Sequence, residues 1–531
     1  MSWFKCVYYA YFPLSGRRGK RRFFEAVRTE NADRVGVGQV TIDVLPEVTI
    51  DALPEGAIDV LPEVTIDVLP DDTLLDIFDL YLDGDSSEDR SGWLPLVQVC
   101  RRWRNHAITA PRRLRLRLQC TQSNHFEAVL DIWPTLPIVI SDHRNGANPS
   151  PGVGNIIAAL ERNDRVCRIE LRGDPTLLLS RSVAATQRPF PKLTDLDLRS
   201  DSEWGMHLPD LFLGGSAPRL QSLRLEFITF QGIRTLLSSA SGLVHLDLWN
   251  IPDSGYVSPE TMARSLSTLT QLKSLGLGFH ARDSFRSPPV REIRFLFSRF
   301  ALPNLTHFWF HGTSVYLDVF VAHFEAPLLH SVKMTLFNEP SYDISELPQF
   351  IRRAEKFMSL DKTDLCFSKD TVEVTLSPQK ETDDDTMLSL SVLCRESYGP
   401  LSLSDVFRLS LPPLSSSQCL QIRVEQYQRS QWQYDMDGIQ WLGLLRPFTA
   451  VKDLFISEEL ALRVAPALEE AANAARRVLP ALQNIFFEGL QPSDSGPFQE
   501  AIRPFVAARR RTSHPVAVLR WETREGSIYA S

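Results

Sequence analysis

The chain has 531 residues, 43% hydrophobic and 23% charged, with 57 Lys and Arg against 65 Asp and Glu, a formal charge of −8 and a pI near 5.8. That balance excludes a surface built throughout for nucleic acid or for an anionic membrane. Seven scattered cysteines without a CxxC pair read as reduced thiols and exclude a disulfide frame or a compact zinc motif, and no run approaches the ~18 apolar residues that span a bilayer.

Residues 1–40 read as a disordered N-terminal segment. Its apolar stretch MSWFKCVYYAYFPL precedes the basic cluster Arg17, Arg18, Lys20, Arg21 and Arg22, the reverse of a secretory signal. The cluster suits a nuclear address or a plain solvated run, so a cytoplasmic and/or nuclear location is expected. Four octapeptides follow between residues 41 and 72: TIDVLPEV, TIDALPEG, AIDVLPEV and TIDVLPDD. A proline interrupts backbone donation in every copy, and only the last copy leads into an apolar stripe of helical spacing. Residues 41–68 are therefore expected to be a linker.

From Leu69 the pattern changes. Pro70 suits a first helical position, and Asp71, Asp72 and Asp76 favour the positive end of the helix dipole. Leu74, Ile77, Phe78 and Tyr81 fall at i, i+3, i+4 and i+7, with Leu75 and Leu82 widening the stripe. After a polar break, Trp93, Leu96, Val97, Cys100 and Trp103 repeat the spacing, and a third helix is expected through Ala107 and Ile108. So small a unit cannot bury all of this surface within itself.

The string LPxxxLLxIF at Leu69, Pro70, Leu74, Leu75, Ile77 and Phe78, with WLPLVQVCRRWR from Trp93 to Arg104, resembles the F-box of fungal F-box proteins. The segments RRLRLRLQC and DIWPTLPIVI that follow are also similar to those proteins. The resemblance implies that residues 69–118 dock on a Skp-type adaptor, and through it on a cullin-RING ubiquitin ligase. The residues it implies for that contact are Leu69, Pro70, Leu74, Leu75, Ile77, Phe78, Val97, Cys100 and Trp103.

Leu114, Leu116 and Leu118 alternate with arginines, as in a strand with one wet face. Then LxxLxL-type strands begin at positions 166, 193, 220, 243, 272 and 305, with a weaker one at Leu329, Val332 and Met334. Proline stands two residues before the first apolar position at Pro191, Pro218, Pro303, Pro327 and Pro480. Ile233, Leu236 and Leu237 share a helical face, and Ser258-Pro259 is a cap-and-start pair before Met262, Leu266 and Leu269. Strand plus helix at this period resembles an irregular leucine-rich solenoid without its ladder asparagine.

Between about 350 and 440 the rhythm gives way to alternating strands at TVEVTLS, MLSLSVLC, VFRLSL and CLQIRVEQY, with an acidic loop at 381–385. It resumes at Val451, Leu454 and Ile456, then at Leu482, Ile485 and Phe487, around an alanine-rich helix from about Glu458 to Val478. The fold class expected is α/β: a three-helix F-box followed by a leucine-rich-repeat-like solenoid of parallel strands and outer helices. The repeat domain should span 119–500, with a C-terminal tail at 501–531.

There is no Walker A loop, HExxH, GxSxG or kinase signature, and Gly152-x-Gly154 lacks the third glycine of a phosphate loop. His245, His280, His307 and His311 match no compact zinc spacing. Asp253-Ser254-Gly255 with Ser258 resembles a phosphodegron. No enzyme activity, cofactor, metal, nucleic acid or membrane contact is expected. In LxxLxL strands, period-two alternation sends the intervening residues to the concave face. Adjacent strands should then align Glu170, Asp197, Arg224, Asp247, Gly276 and Trp309, with Arg172, Arg199, Glu226, Trp249, Gly278 and His311 in the next row. Trp249, His307, Trp309 and His311 are the expected contacts for a protein substrate, because such groups are enriched at binding hot spots. Two roles fit: a substrate receptor of a Skp-cullin-F-box ligase, or a non-catalytic F-box scaffold outside ubiquitination.

Overall fold

The computed structural model describes residues 69–83, 93–110, 116–120, 130, 135–142, 153–173, 185–202, 205–280, 299–337, 345–368, 371–379, 386–393, 411–425, 436, 438–473, 478–488, 497–511, 515–524 and 527–530. The N-terminal segment, the octapeptide linker, the acidic run at 381–385 and the strand expected at 406–410 lie outside them. The described chain separates into two compact units that divide between Val166 and Cys167, one residue into the strand that opens the second unit.

In the first unit, helices α1 (Asp71–Asp83), α2 (Leu94–Val99) and α3 (Arg101–Thr109) precede strands β1 (Leu118–Cys120) and β2 (Ile138–Asp142) and helix α4 (Val153–Glu161). Leu74 and Phe78 of α1 are fully buried, and the Phe78 ring lies 4.9 Å from that of Trp103 on α3. Trp93, Leu96, Val97 and Ala107 complete this core. Cys100 is extended at φ −153°, so the apolar stripe from Trp93 to Trp103 is two helices, not one; its Sγ accepts the Trp103 N–H at 3.5 Å. Arg102 and His106 both reach Asp71 Oδ1, at 2.6 and 3.1 Å, and tie the start of α1 to α3. The hydrogen bond from Arg102 is the main reason the Asp71 carboxyl lies below its usual range. Trp93 Nε1 donates to the Arg117 carbonyl at 2.8 Å, and β1 runs parallel to β2.

The second unit starts with β3 (Val166–Gly173), β4 (Asp195–Ser200), β5 (Met206–Leu208), β6 (Ser222–Glu226), β7 (Ile228–Phe230), α5 (Ile233–Ser239), β8 (His245–Ile251), α6 (Pro259–Leu266), β9 (Ser274–Phe279), β10 (Phe300–Ala301), β11 (His307–Gly312), α7 (Ser314–Val321), β12 (Phe324–Glu325), β13 (Ser331–Phe337) and α8 (Glu346–Arg353). It continues through β14 (Lys362–Phe367), β15 (Thr371–Ser377), β16 (Met387–Leu393), β17 (Cys419–Val424), α9 (Gly438–Leu445), β18 (Asp453–Ile456), α10 (Glu458–Asn473), β19 (Asn484–Glu488), α11 (Pro497–Arg511), β20 (Ala517–Arg524) and β21 (Ser527–Ala530). Residues 501–531, expected as a tail, thus supply most of α11 and the last two strands.

Strands β3, β4, β6, β8, β9, β11 and β13 pair in that order, all parallel. Ile169, Leu196, Leu223, Leu246, Leu275, Phe308 and Val332 form one buried row across them, and Leu171, Leu198, Leu225, Leu248, Leu277, Phe310 and Met334 the next. From Leu193 onward, the first leucine of each LxxLxL triplet is not in its strand. Leu193, Leu220, Leu243, Leu272, Leu305, Leu329 and Leu482 each donate their N–H to the residue three before, at 3.0–3.2 Å, closing a four-residue turn. Pro191, Pro218, Pro303, Pro327 and Pro480 occupy the second position of such turns, where a fixed φ costs nothing.

The irregular middle is a three-stranded insertion in reversed order. β13 pairs with β16, β16 with β15, β15 with β14, and β14 with β17; only the two pairings of β15 are antiparallel. β17, β18, β19 and β20 then continue parallel, and β21 turns back on β20. The second unit is therefore an α/β, leucine-rich-repeat-like domain with a long, mostly parallel sheet and helices.

Its helices begin where the sequence marks them. Ser258 Oγ accepts the Thr261 N–H at 3.3 Å, and Ile233, Leu236, Leu237, Met262, Leu266 and Leu269 are buried. One cap crosses between helices. Asp318 on α7 accepts the Glu346 and Leu347 N–H groups at 2.9 and 2.8 Å, while Ser345 makes no side-chain cap of its own. Asp318→Ala is expected to lower the unfolding free energy by about 1–2 kcal/mol, the usual cost of a lost cap, and to raise hydrogen exchange in α8 first. A denaturation midpoint equal to that of the native chain would contradict this.

Candidate functional site

The rows read from sequence form the face opposite the buried leucines. Glu170, Asp197, Arg224, Asp247, Gly276 and Trp309 are successive register partners, and Lys333 follows Trp309. Arg172, Arg199, Glu226 and Trp249 align likewise, and Gly278 pairs with His311. A register shift follows Leu248, where Asn250 takes φ +51°.

The early part of this open face is neutralised by its own charges. Arg168 pairs with Glu170, and Arg199 holds Asp197 by two hydrogen bonds at 2.9 and 2.7 Å. Arg172 lies 3.9 Å from Asp197, and Glu226 lies 4.0 Å from both Arg199 and Arg224. Asn250 also donates to Glu226, at 3.3 Å. Each exposed pair contributes little stability, but together they leave few free charges here for a ligand.

Across β8 to β13 the face becomes aromatic. A Cβ on Gly278 would overlap Trp249 Cε3 and stand 2.8 Å from Cζ3, while one on Gly276 would overlap Asp247 Oδ1 and come within 3.2 Å of Trp249 Nε1. The indole of Trp249 therefore lies against the backbone of β9, in space that only glycine leaves open. The rings of His307 and Trp309 are 5.7 Å apart, His307 and His330 4.8 Å, and His311 and Phe337 4.9 Å. Phe227 and His280 meet at 5.3 Å on the same strand ends, Phe227 at φ +54°. Burial, then the nearby His280, hold His311 below the ordinary histidine range.

The four expected contacts, Trp249, His307, Trp309 and His311, thus share one half-buried band. Sequence reasoning missed Phe227, His280, His330 and Phe337 beside it. The signal for the band's floor was Gly276-Leu277-Gly278 inside a strand. Farther along, Phe455 and Phe486 stack at 4.3 Å and 6° in the same row, yet both are buried and offer no comparable surface. Of the phosphodegron-like serines, Ser254 contacts Thr229 at 2.8 Å and Ser258 is occupied as a cap.

Of the nine residues expected to meet an adaptor, Leu74, Phe78, Val97 and Trp103 are buried inside the first unit. They hold its helices together as α3 packs back on α1. Leu69, Leu75, Ile77 and Cys100 are half-buried and Pro70 exposed, and Leu80, Val99 and Ile108 are 72%, 51% and 40% exposed.

No family model and no curated protein matches the chain. Among solved structures it is similar to the leucine-rich repeat-containing protein LegL7 of Legionella pneumophila, at 12% identity and a TM-score of 0.25, over 73% of this chain and 97% of that one. The strand registers, not this match, carry the fold. Among the described residues, no helix is long and apolar enough to cross a membrane, and no three His, Cys, Asp or Glu groups converge as a metal site.

Proposed function

We propose that the chain is a non-catalytic adaptor that binds proteins at both units, the substrate-recognition subunit of a Skp-cullin-F-box ubiquitin ligase. α1 to α3 would dock on a Skp-type adaptor, and the open face of the repeat domain would hold a protein substrate. Ubiquitin transfer would then belong to a partner enzyme, aided by proximity. The observation that carries the reading is the aromatic band of Trp249, His307, Trp309 and His311 beside early strands whose charges largely pair with one another, the residue types that dominate interface energetics. The F-box-like sequence, and the apolar residues that α1 to α3 leave outside their own core, support the ligase end.

Affinity purification of the full chain tests it. Recovery of both the Skp-type adaptor and a cullin is the expected result. Adaptor without cullin would favour a scaffold outside ubiquitination, and recovery of neither would overturn the proposal.

A further inference from the structure

Asp247 differs from the other acids of the open face. Glu170, Asp197 and Glu226 each face an arginine, whereas Asp247 Oδ1 is shut off from solvent and accepts no hydrogen bond. Its register neighbour Arg224 supplies nearby charge but no bond, since its terminal nitrogen lies toward Glu226. Asp247 also stands where the charged rows end and the aromatic band begins. Its Oδ1 and the Trp249 Nε1 converge on the bare backbone of Gly276, and Trp309 occupies the next place in the row.

An unpaired carboxylate beside the Trp249 indole, in the row that leads to Trp309, is chemistry suited to one kind of group. The faces of tryptophan rings attract ammonium and guanidinium ions, and a carboxylate adds charge and hydrogen-bond acceptors. Desolvation raises the Asp247 pKa despite the opposing influence of Arg224 and His245, so its charged form is poorly compensated by the fold itself. An incoming cation would relieve that cost.

Resting on the interaction reading above, we infer that the open face takes a peptide segment whose arginine or lysine side chain lies between Trp249 and Trp309 and pairs with Asp247. Specificity would come from that one charge, and breadth of contact from the aromatic band.

The test begins by panning a random linear heptapeptide library on the full chain at physiological salt. Selected peptides should carry Arg or Lys beside apolar residues. A double-mutant cycle then pairs the native chain and Asp247→Asn with a selected peptide and its norleucine analogue. Each single change should weaken binding at least tenfold, and the double change little more than either alone. Arg224→Ala should leave the preference intact. Additive losses, or loss of the preference in Arg224→Ala, would overturn the pairing. Neutral peptides whose binding needs Trp249 and Trp309 would overturn it while leaving the interaction surface standing, and a face that binds no peptide would overturn both. Asp247→Asn should fold at least as well as the native chain. Because folding raises the carboxyl pKa, stability is lost as pH rises through that value, and the amide removes the loss.

Discussion

Replacing Leu75 and Ile77 together by alanine is expected to weaken adaptor binding roughly 100-fold, about 3 kcal/mol if both are anchors, with the thermal transition of the chain unchanged. Both lie on α1 and are only half-buried, so truncation removes surface offered to a partner and little internal packing. Phe78→Ala should behave differently. Phe78 is fully buried against Trp103, and losing a buried aromatic costs about 3–5 kcal/mol, so the helices of the first unit should open and take adaptor binding with them. Hydrogen exchange over residues 69–109 separates the cases: protection kept with binding lost for the α1 pair, both lost for Phe78. Undiminished adaptor recovery by the folded Leu75, Ile77 variant would remove the case for an F-box.

The second large effect concerns the aromatic band. Trp309→Ala should cost substrate capture about 2 kcal/mol or more and leave stability nearly untouched, because the indole is half-buried on the open face. Trp249→Ala should lose capture and also about 1–2 kcal/mol of stability, less than the 3–5 kcal/mol of a fully buried aromatic, since its ring covers two glycines of β9. Gly278→Ala provides the control that touches no partner. Its methyl would collide with Trp249 Cε3, so the ring must lift and capture should fall although every aromatic group remains. Equal capture by Gly278→Ala and the native chain would mean that the position of Trp249 does not matter to binding.

The rows of the open face were legible because a strand has a period of two, so the leucines alone assign each intervening residue to a row. β14 was missed although Thr363, Leu365 and Phe367 alternate with Lys362, Asp364 and Cys366, because the buried Thr363 is itself polar and hides the alternation over the first half of the strand. The reversed order of the insertion was beyond reach. Alternation is the same in parallel and antiparallel strands, so TVEVTLS could be seen as a strand but not as the one that runs backwards. The stripe of α1 posed a related problem: helical spacing places Leu75, Ile77 and Phe78 on an apolar arc, but only the return of α3 decides which of them it covers. Asp247 stood in its row from the start. What set it apart was the geometry of the bonds it does not make.

The reversed insertion changes how this array can assemble. In an ordinary solenoid each repeat rests on the one before it, so order can spread residue by residue from any starting point. Here β13 finds its next neighbour in β16, and β17 must await β14, so growth along the chain stalls until a whole meander has closed. That junction raises the sequence separation of contacts that are adjacent in space, which slows folding. The parallel runs on either side are expected to gain protection as two separate blocks, joined in a later step by residues 362–393, and a destabilising change in β15 should uncouple their unfolding while leaving each block intact.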